Sequence, residues 1–224
     1  MKHTRHMDIY TFPPNFSITL IGAGGIGAIT GIELAKMGVP KLNIYDMDTV
    51  EEENLTGQMH KLSDIGKSKA IALYNTIHLF ADDTRISTSD EKITETSILP
   101  KSNIVISAVD SITARKEIWE AVMQLNLNHD ITAYIDARMA AEQYQHFAVN
   151  MKSTLSMMKY WEMLSSTNEE DVEELPCTAK ATFYTGAIAA GHIGAVVRNV
   201  LEGEFEPHRV IHYIPQFNLI KLPL

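Results

Sequence analysis

At 224 residues and 45% hydrophobic side chains, the chain is long enough to bury one substantial core. Its 19 Lys and Arg against 28 Asp and Glu leave a net charge of −9, which argues against a nucleic-acid partner, because phosphate neutralisation needs clustered basic residues. No run of about 18 apolar residues marks a membrane span. The single cysteine, Cys177, forms no internal disulfide and no paired-cysteine zinc site, so no zinc and a reducing, cytoplasmic setting are expected.

Residues 1–16 read as an irregular, solvated arm without an apolar signal core, and its one arginine, Arg5, is a candidate for reaching a neighbouring subunit's site. Ile18 to Ile21 then reads as a buried strand running into Gly22, Gly24, Gly25 and Gly27, with helical spacing from Ile29 to Met37. Strand, glycine turn and helix together put backbone N–H groups and a helix N-terminus beside a phosphate. Gly38-Val39-Pro40 stops that helix. Lys41 to Tyr45 is a second strand ending in Asp46, the place of a ribose-binding acid in a doubly wound fold.

Val50 to Lys61 is a polar, acidic loop passing over the nucleotide. Asp64 is expected to cap a helix from Ile65 or Gly66 to about Ala81, with Ile71, Tyr74, Ile77 and Leu79 as its apolar stripe. Lys67 and Lys69 fall in its first turn, where cations oppose the helix dipole and suit an anionic partner. Strands follow at Thr84 to Ile93, Asn103 to Ala108, Ala133 to Asp136 and Tyr144 to Met151, with a helix over Ile112 to Leu125. This alternation predicts an α/β doubly wound, mostly parallel sheet with helices on both faces. After Lys152 come a short apolar helix around Met157 to Met163, an acidic loop closing at Pro176-Cys177-Thr178, a helix rich in small residues from Phe183 to Leu201, and a closing hairpin at Val210 to Tyr213 and Leu219 to Leu222. Of the nine histidines, His60 and His192 stand out, but neither has ligand spacing. The Asp136–Arg138 pair fits either a substrate tail or a structural ion pair.

Two chemistries share the first eighty residues. An NAD-dependent oxidoreductase would use Gly22, Gly24, Gly27 and Asp46, but nothing after Asp110 suggests a hydride-transfer site. An ATP-adenylating enzyme would add cations, amides and a metal-binding carboxylate, and Asn54, Gln58, Lys69 and Asp110 supply that inventory.

The ordered series of Gly22 to Gly27, Asp46-Met47-Asp48-Thr49-Val50, Asn54-Leu55-Thr56-Gly57-Gln58, Gly66-Lys67-Ser68-Lys69 and Asp110 with Arg115 resembles the adenylating domain of ubiquitin-activating enzymes and their bacterial ThiF and MoeB relatives. The resemblance implies an adenylation domain over 17–151, a crossover segment over 152–179 and a C-terminal helix and hairpin over 180–224. It also implies a homodimer that binds ATP and Mg²⁺ and activates the C-terminal carboxylate of a small ubiquitin-like or sulfur-carrier protein ending in Gly-Gly.

On that resemblance Gly22, Gly24, Gly25, Gly27, Asp46, Asp48, Asn54, Gln58 and Lys69 bind the nucleotide. Asp46 holds the ribose, Lys69 and Asn54 the phosphates, and Asp110 the Mg²⁺. Cys177 matches the segment that carries a thioester-forming cysteine in ubiquitin-activating enzymes. The sequence departs from the pattern where the family has arginine before the glutamine, here Gly57, and in lacking zinc-binding cysteine pairs; its arm is also short. Lys61, Lys67 or a partner's Arg5 are candidates to replace that arginine, and a non-catalytic scaffold of the same fold is the alternative reading.

Overall fold

The computed structural model describes residues 6–168 and 182–224. Eight strands form one sheet in the order β3-β2-β1-β4-β5-β6-β7-β8. β1 (Ser17–Ile21), β2 (Lys41–Tyr45), β3 (Arg85–Ser89), β4 (Ile104–Ser107) and β5 (Ala133–Ala140) pair in parallel. β6 (Gln143–Asn150), β7 (His208–Tyr213) and β8 (Asn218–Pro223) extend the sheet as an antiparallel meander. Winding leaves β1 in both directions, toward β2 and toward β4. The gap between their carboxyl ends is therefore the topological switch point, where open α/β sheets bind ligands.

The central strands are rich in aliphatic residues and buried on both sides because helices cover both faces. One core holds Ile18, Leu20, Ile44, Ile104 and Ile135 under α1 (Gly27–Met37), α2 (Lys69–Ile77) and α5 (Phe183–Leu201). The other holds Val105, Trp119, Tyr134, Phe147 and Tyr160 under α3 (Ile112–Asn128) and α4 (Thr154–Ser165). The small residues of α5 have a steric cause: a Cβ on Gly186 would stand 2.4 Å from the Gly25 carbonyl, so the helix rests directly on the glycine turn. α1 stops as expected at Gly38, which is left-handed at φ 93° while Val39 N–H returns to the Leu34 carbonyl.

Several expectations are corrected. α2 begins at Lys69, not at Ile65 or Gly66, because Gly66 turns left-handed at φ +81° and breaks the path. Asp64 instead ends a short 3₁₀ turn, Leu62–Asp64, and accepts from Lys61 N–H and the Lys67 ammonium. The buried stripe of α2 is Ala70, Leu73 and Ile77, while Ile71, Tyr74 and Leu79 are exposed. Nor is the arm solvated throughout: Phe12 packs edge-on to buried Phe16 and joins the core. Arg5 lies outside the described residues. β5 runs on to Ala140, and β8 is exposed along its whole length, Leu219, Ile220 and Leu222 included.

A histidine cluster lies where α5 crosses β6 and β7. His208 Nδ1 is 2.7 Å from the Glu206 carbonyl and must carry a proton there, so its Nε2 accepts from His146 Nε2–H at 3.0 Å. Burial, reinforced by His208 and His192, pushes the His146 imidazole down to about 3. An unfolded histidine titrates near pH 6.5, so below that the unfolded chain binds a proton that the folded chain refuses. Stability is thus expected to fall with pH, this group contributing up to about 1.4 kcal/mol per unit. Urea midpoints compared at about pH 6.5 and pH 4.5 should show a shallower slope for His146→Leu; identical slopes would refute the assignment.

Candidate functional site

The site begins where β1 runs out. Gly22 is left-handed at φ 97°, and its N–H donates to the Tyr45 carbonyl of β2. A Cβ there would stand 2.6 Å from the Ala108 carbonyl just beyond β4, and one on Gly27 would stand 1.9 Å from the Gly22 carbonyl. Both glycines are therefore required by the fold itself. Gly24 differs: the atoms nearest its missing Cβ belong to the Gln58 amide, at 3.8 Å, so the fold itself would tolerate a side chain there.

Around this corner stand several of the residues singled out in the sequence. Asp46 follows β2 and accepts from Ala23 N–H at 2.5 Å and from Asp48 N–H at 2.9 Å. Burial raises its carboxyl above the usual range more than those bonds and the Lys69 charge lower it. Lys69, at the start of α2 and largely buried, reaches back to the exposed Asp48 carboxylate at 2.9 Å. Its charge is thus compensated inside the chain, and Lys67 lies outside the helix against Asp64; the expected dipole conflict is relieved locally. Asn54 belongs to a 3₁₀ turn, Glu52–Thr56, where its Oδ1 accepts from Glu51 N–H.

The segment after that turn lies across the corner. The Gly57 carbonyl is 3.5 Å from the Cβ position of Gly25, Gln58 faces Gly24, and His60 Nε2 is 3.0 Å from the Ala23 carbonyl. His60, which stands out in the sequence without ligand spacing, is thereby brought to the corner. Burial pushes its imidazole below the ordinary value, overcoming the opposite pull of the Ala23 bond. Gln58 Oε1, His60 Nδ1 and Ser68 Oγ are buried without a hydrogen-bond partner among the described residues. Of these only the Ser68 hydroxyl can donate to an anion; Gln58 Oε1 and an unprotonated His60 Nδ1 are acceptors and call for a donor.

Asp110 lies exposed on the loop after β4, three positions beyond Ser107, which pairs with Ile21. Arg115 anchors that loop from α3: its guanidinium donates to the Val109 carbonyl, to the Ala137 carbonyl and to Asp136. Asp136 is fully buried and also receives Arg138, at 2.6 and 2.8 Å, and the Tyr160 hydroxyl at 2.9 Å. Burial pushes its carboxyl up, but Arg115 and Arg138 outweigh it and hold the carboxyl below the usual range. The Asp136–Arg138 pair is therefore structural, and the substrate-tail alternative is set aside. Among the described residues no group of three or more His, Cys, Asp or Glu could hold a metal. Asp110 alone still suits Mg²⁺, which binds through one or two carboxylates plus substrate phosphates and water. Cys177 lies outside the described residues.

A family model described as the ThiF family matches residues 14–221. The chain belongs to the ThiF family. The adenylyltransferase and sulfurtransferase MOCS3 of Dictyostelium discoideum is 36% identical over 111 residues, covering 48% of this chain and 26% of that protein. Ubiquitin-like modifier-activating enzyme 5 of Culex quinquefasciatus is 30% identical over 127 residues, covering 50% and 32%. The ThiF-family chain thus spans about a third or less of the length of these relatives. Among solved structures, E. coli MccB with ATP superposes at TM-score 0.69 and 18% identity over 94% of this chain and 64% of that one. PaaA does so at 0.71 and 18%, over 94% and 73%. At that identity the likeness concerns the fold. No helix among the described residues is long and apolar enough to cross a membrane.

The two kinds of glycine can be told apart. Gly22→Ala and Gly27→Ala are expected to destabilise the fold by about 3 kcal/mol or more, through backbone overlap and, at Gly22, an unfavourable φ. Gly24→Ala should keep a near-parental melting temperature while weakening ATP binding. A Gly24→Ala protein that melts as early as Gly22→Ala would contradict the distinction.

Proposed function

We propose that this ThiF-family chain binds MgATP at the glycine corner and adenylates the C-terminal carboxylate of a small ubiquitin-like or sulfur-carrier protein ending in Gly-Gly. The observation that carries the reading is the convergence of the Gly22–Gly27 corner, Asp46, Lys69 and the Asp110 loop on one carboxyl edge of the sheet, at its switch point. The wide depression of about 490 Å³ bordered by Glu51, Glu52 and Glu53 is a poorer candidate, since three carboxylates repel a triphosphate.

In this reading Gly24 and the N-terminus of α1 receive a phosphate, Asp46 takes the ribose hydroxyls, and Asn54 and Gln58 line the phosphate path. Lys69 exchanges Asp48 for the triphosphate. Asp110 would hold Mg²⁺, which when bound neutralises phosphate charge. The substrate carboxylate is already ionised at neutral pH, so the chain need supply no general base. Its oxygen attacks the α-phosphorus and pyrophosphate departs, leaving an acyl-adenylate. Alignment and charge neutralisation are what the chain contributes. Acyl transfer to Cys177 and assembly as a homodimer belong to the same reading.

Gly57, where the family pattern has arginine, has φ −112° and ψ −7°, a backbone that any residue adopts. Lys61 and Lys67 both face Asp64, Lys61 at 4.0 Å and Lys67 at 3.0 Å. ATP–pyrophosphate exchange with candidate carrier proteins tests the proposal. Asp110→Ala and Lys69→Ala should each lower exchange by about 100-fold or more, and Gly57→Arg should raise it. Exchange unaffected by Asp110→Ala would overturn the assignment, and ATP binding without exchange for any carrier would favour a scaffold.

A further inference from the structure

Both backbone groups of Ala23 are held. Its N–H donates to Asp46, and its carbonyl faces His60 Nε2. A carbonyl only accepts, so His60 must be the tautomer protonated at Nε2. Its Nδ1 lone pair is then left buried without a partner among the described residues, in a ring only 8% exposed. An apolar side chain would avoid that desolvation cost. The bond has a geometric consequence. The Ala23 carbonyl and the Gly24 N–H belong to one planar trans peptide and point in opposite directions. Fixing the carbonyl against His60 therefore aims the Gly24 N–H away from His60, on the one glycine of the corner whose Cβ would meet only a side-chain amide.

We propose that His60 is a positioning residue for the nucleotide: by holding the Ala23 carbonyl through Nε2–H, it aims the Gly24 N–H at a phosphate of ATP. The proposal rests on the MgATP reading above and adds a residue to it. The neighbouring contacts agree, since Gly57 and Gln58 of the same segment face Gly25 and Gly24 in turn. One strand of chain thus sets three consecutive residues of the corner.

The test compares His60→Gln, whose amide nitrogen stands near the Nε2 position, with His60→Asn, whose amide nitrogen stands near Nδ1, and with His60→Leu. ATP affinity is measured by calorimetry on the full chain, with melting temperatures alongside. His60→Gln should bind ATP within about twofold of the parent, whereas His60→Asn and His60→Leu should lose about tenfold, the worth of one well-placed hydrogen bond. Equal affinity in all four proteins overturns the proposal. So does an equal loss in all three variants, which would make His60 a packing residue. A parent that binds no ATP overturns the MgATP reading itself, and this inference with it.

Discussion

The carboxyl ends of β1 and β4 come together with no space for a side chain between them. At Gly22 the chain turns left-handed against the Ala108 carbonyl, and at Gly27 the new helix starts against the Gly22 carbonyl. That double contact fixes how α1 leaves the sheet, and it sets the loop carrying Asp110 directly beside the corner. α5 then caps the arrangement, its Gly186 pressed on the Gly25 carbonyl. The glycines that form the corner are also the ones that allow three elements to touch.

A second constraint is electrostatic. Asp136 lies wholly out of water, a position that costs several kcal/mol unless the charge is answered. Arg115, Arg138 and the Tyr160 hydroxyl answer it, and Arg115 spends its other donors on the carbonyls of Val109 and Ala137. A buried ion pair adds little net stability over apolar packing. Its effect here is specificity of placement: α3, the Asp110 loop and β5 share one guanidinium. Arg138 also lies over the Phe147 ring, 4.8 Å from its centre, joining β5 to β6.

Much of this architecture is legible in the sequence wherever one period dominates. β1 and β4 are short, fully buried and rich in aliphatic residues, α1 is framed by a glycine turn and a glycine stop, and α5 has the expected bounds. The fold class follows from that alternation. Misreadings cluster where tertiary contact overrides pattern. α2 carries large apolar residues outward because Ala70 and Ala72 suit the close approach to the sheet, leaving Ile71 and Tyr74 on the outer face. Asp64 looked like a helix cap, yet Gly66 and the Lys61 and Lys67 partners give it a separate turn. The contact of His60 is illegible for another reason: its partner is a backbone carbonyl 37 positions away, which no spacing rule reports. The places of the glycine series, Asp46 and Asp110 after β1, β2 and β4 are legible because each follows directly from a strand end.

The sheet joins two halves with different demands on the chain. β5 and β6 are linked by a tight turn at Ala141 and Glu142, and β7 and β8 by another, so each hairpin closes a short loop. β1 reaches β4 only by bringing Ile18 beside Ile104. Closing so long a stretch costs more chain entropy before any contact repays it. The glycine corner therefore depends on the longer closure, while the hairpins depend on short ones.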